Sequence, residues 1–361
     1  SDSADRLVAV VSGWSGSTNL GDELLSLAVV QKLKARGVEP LLISTDPSMT
    51  AASLGVKSIG HTRWPAVTGA IRSASALIFG GGGLVQDVTS QLNLPYHLAR
   101  PRIASALRTP FSGIGLGIGP LTTRPAKLMA RRVLNKARAV GVRDEASADL
   151  ARSLGINDVV LGADLALCLP VPDVRIQDRL VVSLRPPVRG GWSPVAGRRS
   201  ELDDGWIAAA AKALDAAIAA TGLSVHFVPL QTDRDDVVHR RVAERMRSPS
   251  SHASPTLGSV FDEIASGRVV IAMRYHAAIG ALLGARPAVL LGYDPKVDAL
   301  AAETGSGFAL IGSASADFDR LPGAVSEVLG RAELVEEGRD RLRGRERAND
   351  RILDDLLGDP R

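Results

Sequence analysis

Short apolar runs alternate along the chain with longer stretches whose hydrophobic residues recur every three to four positions. In the first half the runs fall at residues 7–12, 40–44, 76–79, 111–115 and 139–142. Between the first two, Leu24, Leu27, Ala28 and Leu33 repeat at helical spacing and Gly37 supplies a stop, which predicts a helix over 22–36. Residues 170–178, PVPDVRIQD, break the pattern with prolines and mixed polar residues and read as an interdomain linker. After them the alternation restarts, with runs at 180–184, 223–228, 269–272 and 288–291 and helical patterns at 203–221, 234–247, 258–266 and 275–284. Such alternation predicts parallel sheets covered by helices on both faces. The expected fold is therefore α/β, with two Rossmann-like, doubly wound domains facing across a cleft. Residues 1–170 form the first, residues 178–331 the second, and 332–361 a charged helical tail packed on the outside.

Size and composition agree with this reading. A single core rarely extends beyond roughly 250–300 residues, and this chain has 361. No apolar run reaches the ~18–20 residues of a bilayer-spanning helix. The opening SDSADRL lacks the basic-then-apolar pattern of a secretory signal. Cys168 is the single cysteine, so no internal disulfide or cysteine-based metal cluster can form, and it reads as buried filler in a reducing, cytoplasmic setting. Net charge is +4, carried mostly by arginine. The arginines are scattered and aromatics make up only 4%, which speaks against a nucleic-acid partner and for a small anionic ligand gripped by a few guanidinium groups.

In a doubly wound fold, ligands meet the carboxyl ends of the strands, and the informative residues fall there. Residues 13–23, GWSGSTNLGDE, link the first run to the first helix. Gly16 allows a close backbone approach, Asn19 or Asp22 can cap the helix, and the helix start offers N–H groups to an anion or a hydroxyl. The plainer alternative is a tight strand–helix turn. Gly80–Gly83 are followed by Gln86 and Asp87; the backbone at Gly81 and Gly82 suits a close ligand, with Gln86 and Asp87 on sugar hydroxyls. His97 lies in the helical segment that follows. Arg143 ends one run and reads as an anion ligand, with a salt bridge or a helix cap as the close alternatives. In the second half, Arg185, Arg274 with His276, and Lys296 all sit at run ends. Histidine titrates near neutrality, so His276 suits acid–base work, a capping or core role being the alternative. No H-E-x-x-H, acidic triad or G-x-S-x-G elbow is present, and no metal site is expected.

The ordered series GWSGSTNLGDE, ISTDP, FGGGGLVQD, GIGLGIGP, VRDEAS, GADLAL, LRP, MRYHAAIGALLGARP and GYDPKV resembles the polysaccharide pyruvyl transferase family, in the branch that pyruvylates bacterial cell-wall and exopolysaccharide sugars. The series runs from Gly13 to Val297. The resemblance implies a GT-B-like fold and transfer of a pyruvyl group from phosphoenolpyruvate to two hydroxyls of one sugar, giving a cyclic ketal and phosphate. It implies that Arg143, Arg185, Arg274 and Lys296 hold phosphoenolpyruvate, and that His276 moves the proton with Asp87 or Asp22 as acidic counterpart. Gly16, Asn19, Gly81, Gly82, Gln86 and His97 would hold the acceptor, a glycan or lipid-linked sugar met at the cytoplasmic membrane face. Phosphoenolpyruvate is then a substrate and no organic cofactor is expected, with a divalent cation left open. Tyr275 departs from the leucine frequent in the family, and residues 186–200 align poorly, which leaves the acceptor's identity open. Two other readings remain: a nucleotide-sugar glycosyltransferase of the same shape, and a glycan-binding module without activity.

Overall fold

The computed structural model describes residues 7–88, 92–186 and 203–358. The chain divides into two compact units. The first comprises Ser1–Ser17, Asp22–Leu169 and Leu342–Arg361; the second comprises Thr18–Gly21 and Pro170–Arg341. Among the described residues, no helix is long and apolar enough to cross a membrane.

The first unit is built on a parallel sheet of seven strands: β1 Val8–Ser15, β2 Glu39–Ser44, β3 Lys57–Gly60, β4 Ala76–Val85, β5 Phe111–Ile118, β6 Val140–Val142 and β7 Val159–Leu161. Their order is β3-β2-β1-β4-β5-β6-β7. Helices cover both faces, so the central strands are buried on both sides and read as continuous apolar runs such as Ala9–Val11 and Leu77–Phe79. β1 lies between β2 and β4, which places the reversal of winding, and hence the ligand crevice of this fold type, at the carboxyl ends of β1 and β4.

The sequence predicts that β4 stops at Phe79, with the glycines as a loop. The strand instead runs on through them to Val85, with Gly80 and Gly82 paired to Ile114 and Leu116 of β5. Gly80 has φ 156°, and a Cβ there would collide with the Ile114 carbonyl. The close approach that calls for glycine at this position is thus to a neighbouring strand.

The charged tail does not stand apart. Residues from Leu342 onward belong to the first unit, where Ile352, Leu353 and Leu356 of the helix Ala348–Leu357 are buried. Asn349 is buried too: its amide donates to the Ala163 carbonyl (3.2 Å) and its Oδ1 accepts from the Gly115 N–H (3.0 Å). Lys32 pairs with Glu346 (3.0 Å) and Asp350 (2.8 Å), and Arg36 with Asp350 (3.0 Å) and Asp354 (2.7 Å). The tail's carboxylates, which read as a solvated face, are partners for cations of the first helix.

The second unit repeats the design. Its parallel strands are β8 Gln177–Ser183, β9 Ser224–Phe227, β10 Ser250–His252, β11 Gly267–Ala272, β12 Ala288–Gly292 and β13 Phe308–Gly312, in the order β10-β9-β8-β11-β12-β13. The alanine-rich helix Asp204–Thr221 packs Ile207 and Leu214 into a core with Leu180, Phe227 and Ile271, and ends at Gly222 in the left-handed conformation (φ 72°). Here β8 lies between β9 and β11, so the reversal falls at their carboxyl ends. Thr18–Gly21 join this unit: the Leu20 N–H donates to the Leu230 carbonyl (2.8 Å), and Asn19 forms an antiparallel bridge with Gln231.

Candidate active site

In the second unit, cations and a histidine collect at the reversal of winding. His239 is buried, stacked on Phe227 at 4.9 Å, and its Nε2 accepts from the Leu184 N–H (3.0 Å). Burial pushes its pKa down to about 3, so it is a neutral prop under the end of β8. Arg185 follows. Its guanidinium donates to the Tyr293 hydroxyl (3.1 Å) and lies 4.7 Å from the centre of that ring, a cation–π contact that fixes the head group without a carboxylate. Lys296 is at 5.7 Å from the same ring and 3.4 Å from Asp294, the cap of the helix Pro295–Thr304.

Arg274 is the N-cap residue of the helix Tyr275–Leu283. Its Nε donates to Asp235 Oδ2 (3.0 Å), and Nη2 donates to Gln231 Oε1 (3.1 Å) and to Asp235 Oδ1. Asp235 is fully buried and also accepts the N–H groups of Leu230 (3.1 Å) and Gln231 (2.9 Å). Its carboxylate therefore orients Arg274 and offsets its charge. His276, 8% exposed, stands in the first turn of the same helix, its ring perpendicular to Tyr275 at 5.3 Å. Gly21 lies against it, so close that a Cβ there would clash with the His276 ring. Asn19 Oδ1 accepts from the Gly21 N–H (3.1 Å) and so holds this approach in place. The structure thus brings Arg185, Arg274, His276, Lys296 and Asn19 together on the second unit.

Arg143 does not join them. It belongs to the first unit, is buried, and pairs with Asp144 (3.2 Å) and Asp164 (3.9 Å), with its guanidinium packed under Gly117. Of its sequence readings, the ion pair is the one this geometry supports.

In the same unit, Val11, Gly13, Trp14, Asp22, Leu25 and Gly81 are among the residues around a small void between β1, β4 and the first helix. Gly16 packs against Ser44 and Asp46. Asp87 accepts hydrogen bonds from the N–H groups of Thr122 (2.8 Å) and Thr123 (3.0 Å). Burial works to raise its carboxyl, but these bonds outweigh it and hold it below the usual carboxylate range. That is an anchor for the loop after β5 and an unfavourable state for a proton donor. Gln86 turns to the Val88 N–H (2.8 Å). His97 is buried, and burial, then Arg100, pushes its pKa down to about 4. Of the stretch 186–200, residues from 187 onward lie outside the described residues.

Several groups escaped the sequence reading. Glu23, 3% exposed, accepts the Ser17 N–H on Oε1 (2.9 Å), and among the described residues its buried Oε2 has no hydrogen-bond partner. Burial pushes this carboxyl up to about 7. Tyr293, Asp235 and Gln231 position the cations; Tyr293 directly follows β12, whereas Asp235 lies eight residues past the end of β9 and carried no such signal. Cys168 is inert, its thiol pushed up to about 12 by burial.

Two doubly wound parallel sheets, each bearing polar groups at its reversal point, define an α/β fold of the GT-B-like class, which includes sugar-nucleotide enzymes. Similar solved structures cover nearly all of the chain. They include MnaA of S. aureus with UDP (12% identity, TM-score 0.64, covering 97% of this chain and 96% of that one). Another is UDP-GlcNAc 2-epimerase of Neisseria meningitidis bound to UDP-GlcNAc (13%, 0.60, 97% and 100%). A third is Alr3699/HepE of Anabaena in complex with UDP (13%, 0.59, 97% and 99%). No curated protein matches the sequence. The chain belongs to the polysaccharide pyruvyl transferase family, which matches residues 19–295, and is a transferase.

Proposed function

We propose that the protein transfers the pyruvyl group of phosphoenolpyruvate to two hydroxyls of one sugar in a surface polysaccharide or its lipid-linked precursor. The observation that carries the reading is the cationic cluster of Arg185, Lys296 and Arg274 beside His276 at the reversal point of the second sheet. Phosphoenolpyruvate carries a carboxylate and a phosphate, and charge-assisted hydrogen bonds from guanidinium and ammonium groups suit both. The start of the helix Tyr275–Leu283 adds N–H groups to the same region.

The chemistry balances without redox change. One acceptor hydroxyl adds to the central carbon of the enol while a proton reaches the methylene carbon, making it a methyl group. The C–O bond to phosphate then breaks and phosphate leaves with the bonding pair. The second hydroxyl closes the ketal and releases its proton. His276 supplies the proton to the methylene carbon. Arg185 and Lys296 hold the anionic groups, and Arg274, oriented by Asp235, completes the grip. Asp22 or Asp87 takes a hydroxyl proton, Asp87 being held by Thr122 and Thr123. The acceptor is assigned to the first unit, at the ends of β1 and β4. No step calls for an organic cofactor, and the acceptor is met in the cytoplasm.

The test is a screen of nitrophenyl and lipid-linked glycosides with phosphoenolpyruvate, measuring phosphate release and the mass of the product. Phosphate release tied to a glycoside gaining the ketal supports the reading. Turnover of nucleotide sugars with phosphoenolpyruvate untouched would replace it with glycosyl transfer, and glycoside binding with neither reaction would reduce the protein to a binding module.

A further inference from the structure

Aromatic residues are only 4% of this chain, yet side chains from distant stretches of the first unit gather at one place. Trp14 lies near the carboxyl end of β1, His61 follows β3, and Trp64 opens the next helix. Tyr96, His97 and Arg100 come from the helix Asn93–Leu107. The Trp14 indole is met edge-on by His97 (5.7 Å), Tyr96 (6.3 Å) and His61 (6.4 Å). His61 Nδ1 is hydrogen-bonded to the Tyr96 hydroxyl. Behind them Arg100, 2% exposed, stacks on Tyr96 (3.9 Å) and Trp64 (4.7 Å) and donates to the carbonyls of Tyr96 (2.7 Å) and His61 (3.1 Å).

These contacts fix the orientation of Trp14, yet 37% of its surface stays open. More than a third of a large apolar side chain is thus left facing solvent, where burial would have been favourable. Fixing it in advance lowers the ordering cost of any ligand that stacks on it. Trp14 is the last residue but one of β1, so it stands at the reversal of winding, and Gly13, Asp22 and Gly81 are close to it. His97 is buried behind it, and among the described residues its Nδ1 has no hydrogen-bond partner. Both imidazoles have lowered proton affinity, from burial first and Arg100 second, and are neutral at physiological pH. Arg100 is spent on two rings and two carbonyls. The place therefore offers a flat aromatic face, a neutral imidazole and a carboxylate at the rim, with its cation buried.

The negative face of an aromatic ring attracts C–H groups of partial positive charge, and one side of a pyranose presents a patch of them. We propose that this platform seats an uncharged pyranose, the C–H face of the sugar lying on the Trp14 indole, and that this sugar is the acceptor. Only its being the acceptor rests on the pyruvyl-transfer reading; sugar binding at the platform does not.

The experiment uses the full chain without phosphoenolpyruvate. Methyl glucopyranoside, galactopyranoside, mannopyranoside and glucuronoside are titrated under saturation-transfer NMR. At least one uncharged glycoside is expected to bind, about tenfold more tightly than the glucuronoside. Trp14→Ala, with its melting temperature checked, should weaken binding about tenfold, and Trp14→Phe should recover most of it. With phosphoenolpyruvate added, the acceptor KM of Trp14→Ala should rise about as much while the phosphoenolpyruvate KM stays put. Absence of glycoside binding to the folded wild type overturns the platform. So does equal binding by wild type and Trp14→Ala, or a glucuronoside that binds as well as the neutral sugars. Trp14-dependent binding with no phosphate from phosphoenolpyruvate keeps the platform and sinks the transfer reading. Phosphate release with an acceptor KM indifferent to Trp14→Ala does the reverse.

Discussion

Glu23→Gln tests how the loop between β1 and the first helix is held. The amide is close in shape to the protonated acid and keeps an oxygen for the Ser17 N–H, so it stands in for Glu23 in its neutral form. The carboxyl's ordinary value is 4.5, and burial pushes it up to about 7. A group whose folded value lies above its unfolded one contributes stability fully below the unfolded value. That contribution is lost as pH rises through the folded value. The window is therefore pH 4.5 to about 7, and its width corresponds to about 3 kcal/mol. At pH 5, just inside the window, Glu23→Gln should lead by no more than about 1 kcal/mol. By pH 8 the variant should be the more stable, by up to about 3 kcal/mol, since it never has to bury a charge. Urea titrations at half-unit steps from pH 5 to 8 would follow this, with hydrogen exchange of the β1 amides assigning the transition to the first unit. A stability difference that is flat across the range, or a wild type that gains on the variant as pH rises, refutes the burial argument.

Arg185→Met should lower phosphoenolpyruvate affinity by about thirtyfold, the scale of one charge-assisted hydrogen-bonded contact of roughly 2 kcal/mol; unchanged affinity by calorimetry would remove Arg185 from the donor site. Asp235→Ala should cost roughly 3–5 kcal/mol in denaturant unfolding, because it leaves the Arg274 guanidinium buried without its carboxylate, and a loss under about 1 kcal/mol would show that the pair is solvated. His276→Gln should lower turnover by about 10²–10⁴-fold while phosphoenolpyruvate still binds, and near-normal turnover would move the proton transfer to another group. Gly21→Ala drives a methyl into the His276 ring, so turnover should fall at least about tenfold in a variant whose fold is checked by circular dichroism; wild-type kinetics would mean that the ring's placement is immaterial.

The central strands were legible in the sequence because burial on both faces leaves them as unbroken apolar runs. β3, β7, β10 and β13 were not found, and these are the edges of the two sheets. An edge strand pairs on one side only and keeps part of its surface wet, so KSIG at 57–60 and SSH at 250–252 carry no apolar signature. The second-unit site was legible because its cations follow strand ends directly, as Arg185 and Arg274 do. The supporting groups were hidden: Asp235 looks like one acid among several in a polar helix start, and its pairing with Arg274 exists only once β11 and β9 lie on either side of β8. The aromatic platform was hidden for the same reason, its members being dispersed from residue 14 to residue 100. Gly80 misled in detail, since a Cβ there would meet the Ile114 carbonyl of the paired strand β5, while Gly81 and Gly82 face Leu25 of the first helix.

Asn349 and the carboxylates around it have a consequence for synthesis. The amino-terminal unit is the first to leave the ribosome, and domains ordinarily fold as they emerge. It lacks these contacts at that stage, because the partners of the Gly115 amide, the Ala163 carbonyl and the Lys32 ammonium lie 234, 186 and 314 residues further along the chain. The carboxyl-terminal sheet, contained between residues 170 and 341 apart from Thr18–Gly21, is nearly whole before that. Translation therefore delivers the helix Ala348–Leu357 as a closing clasp on a sheet made well before it.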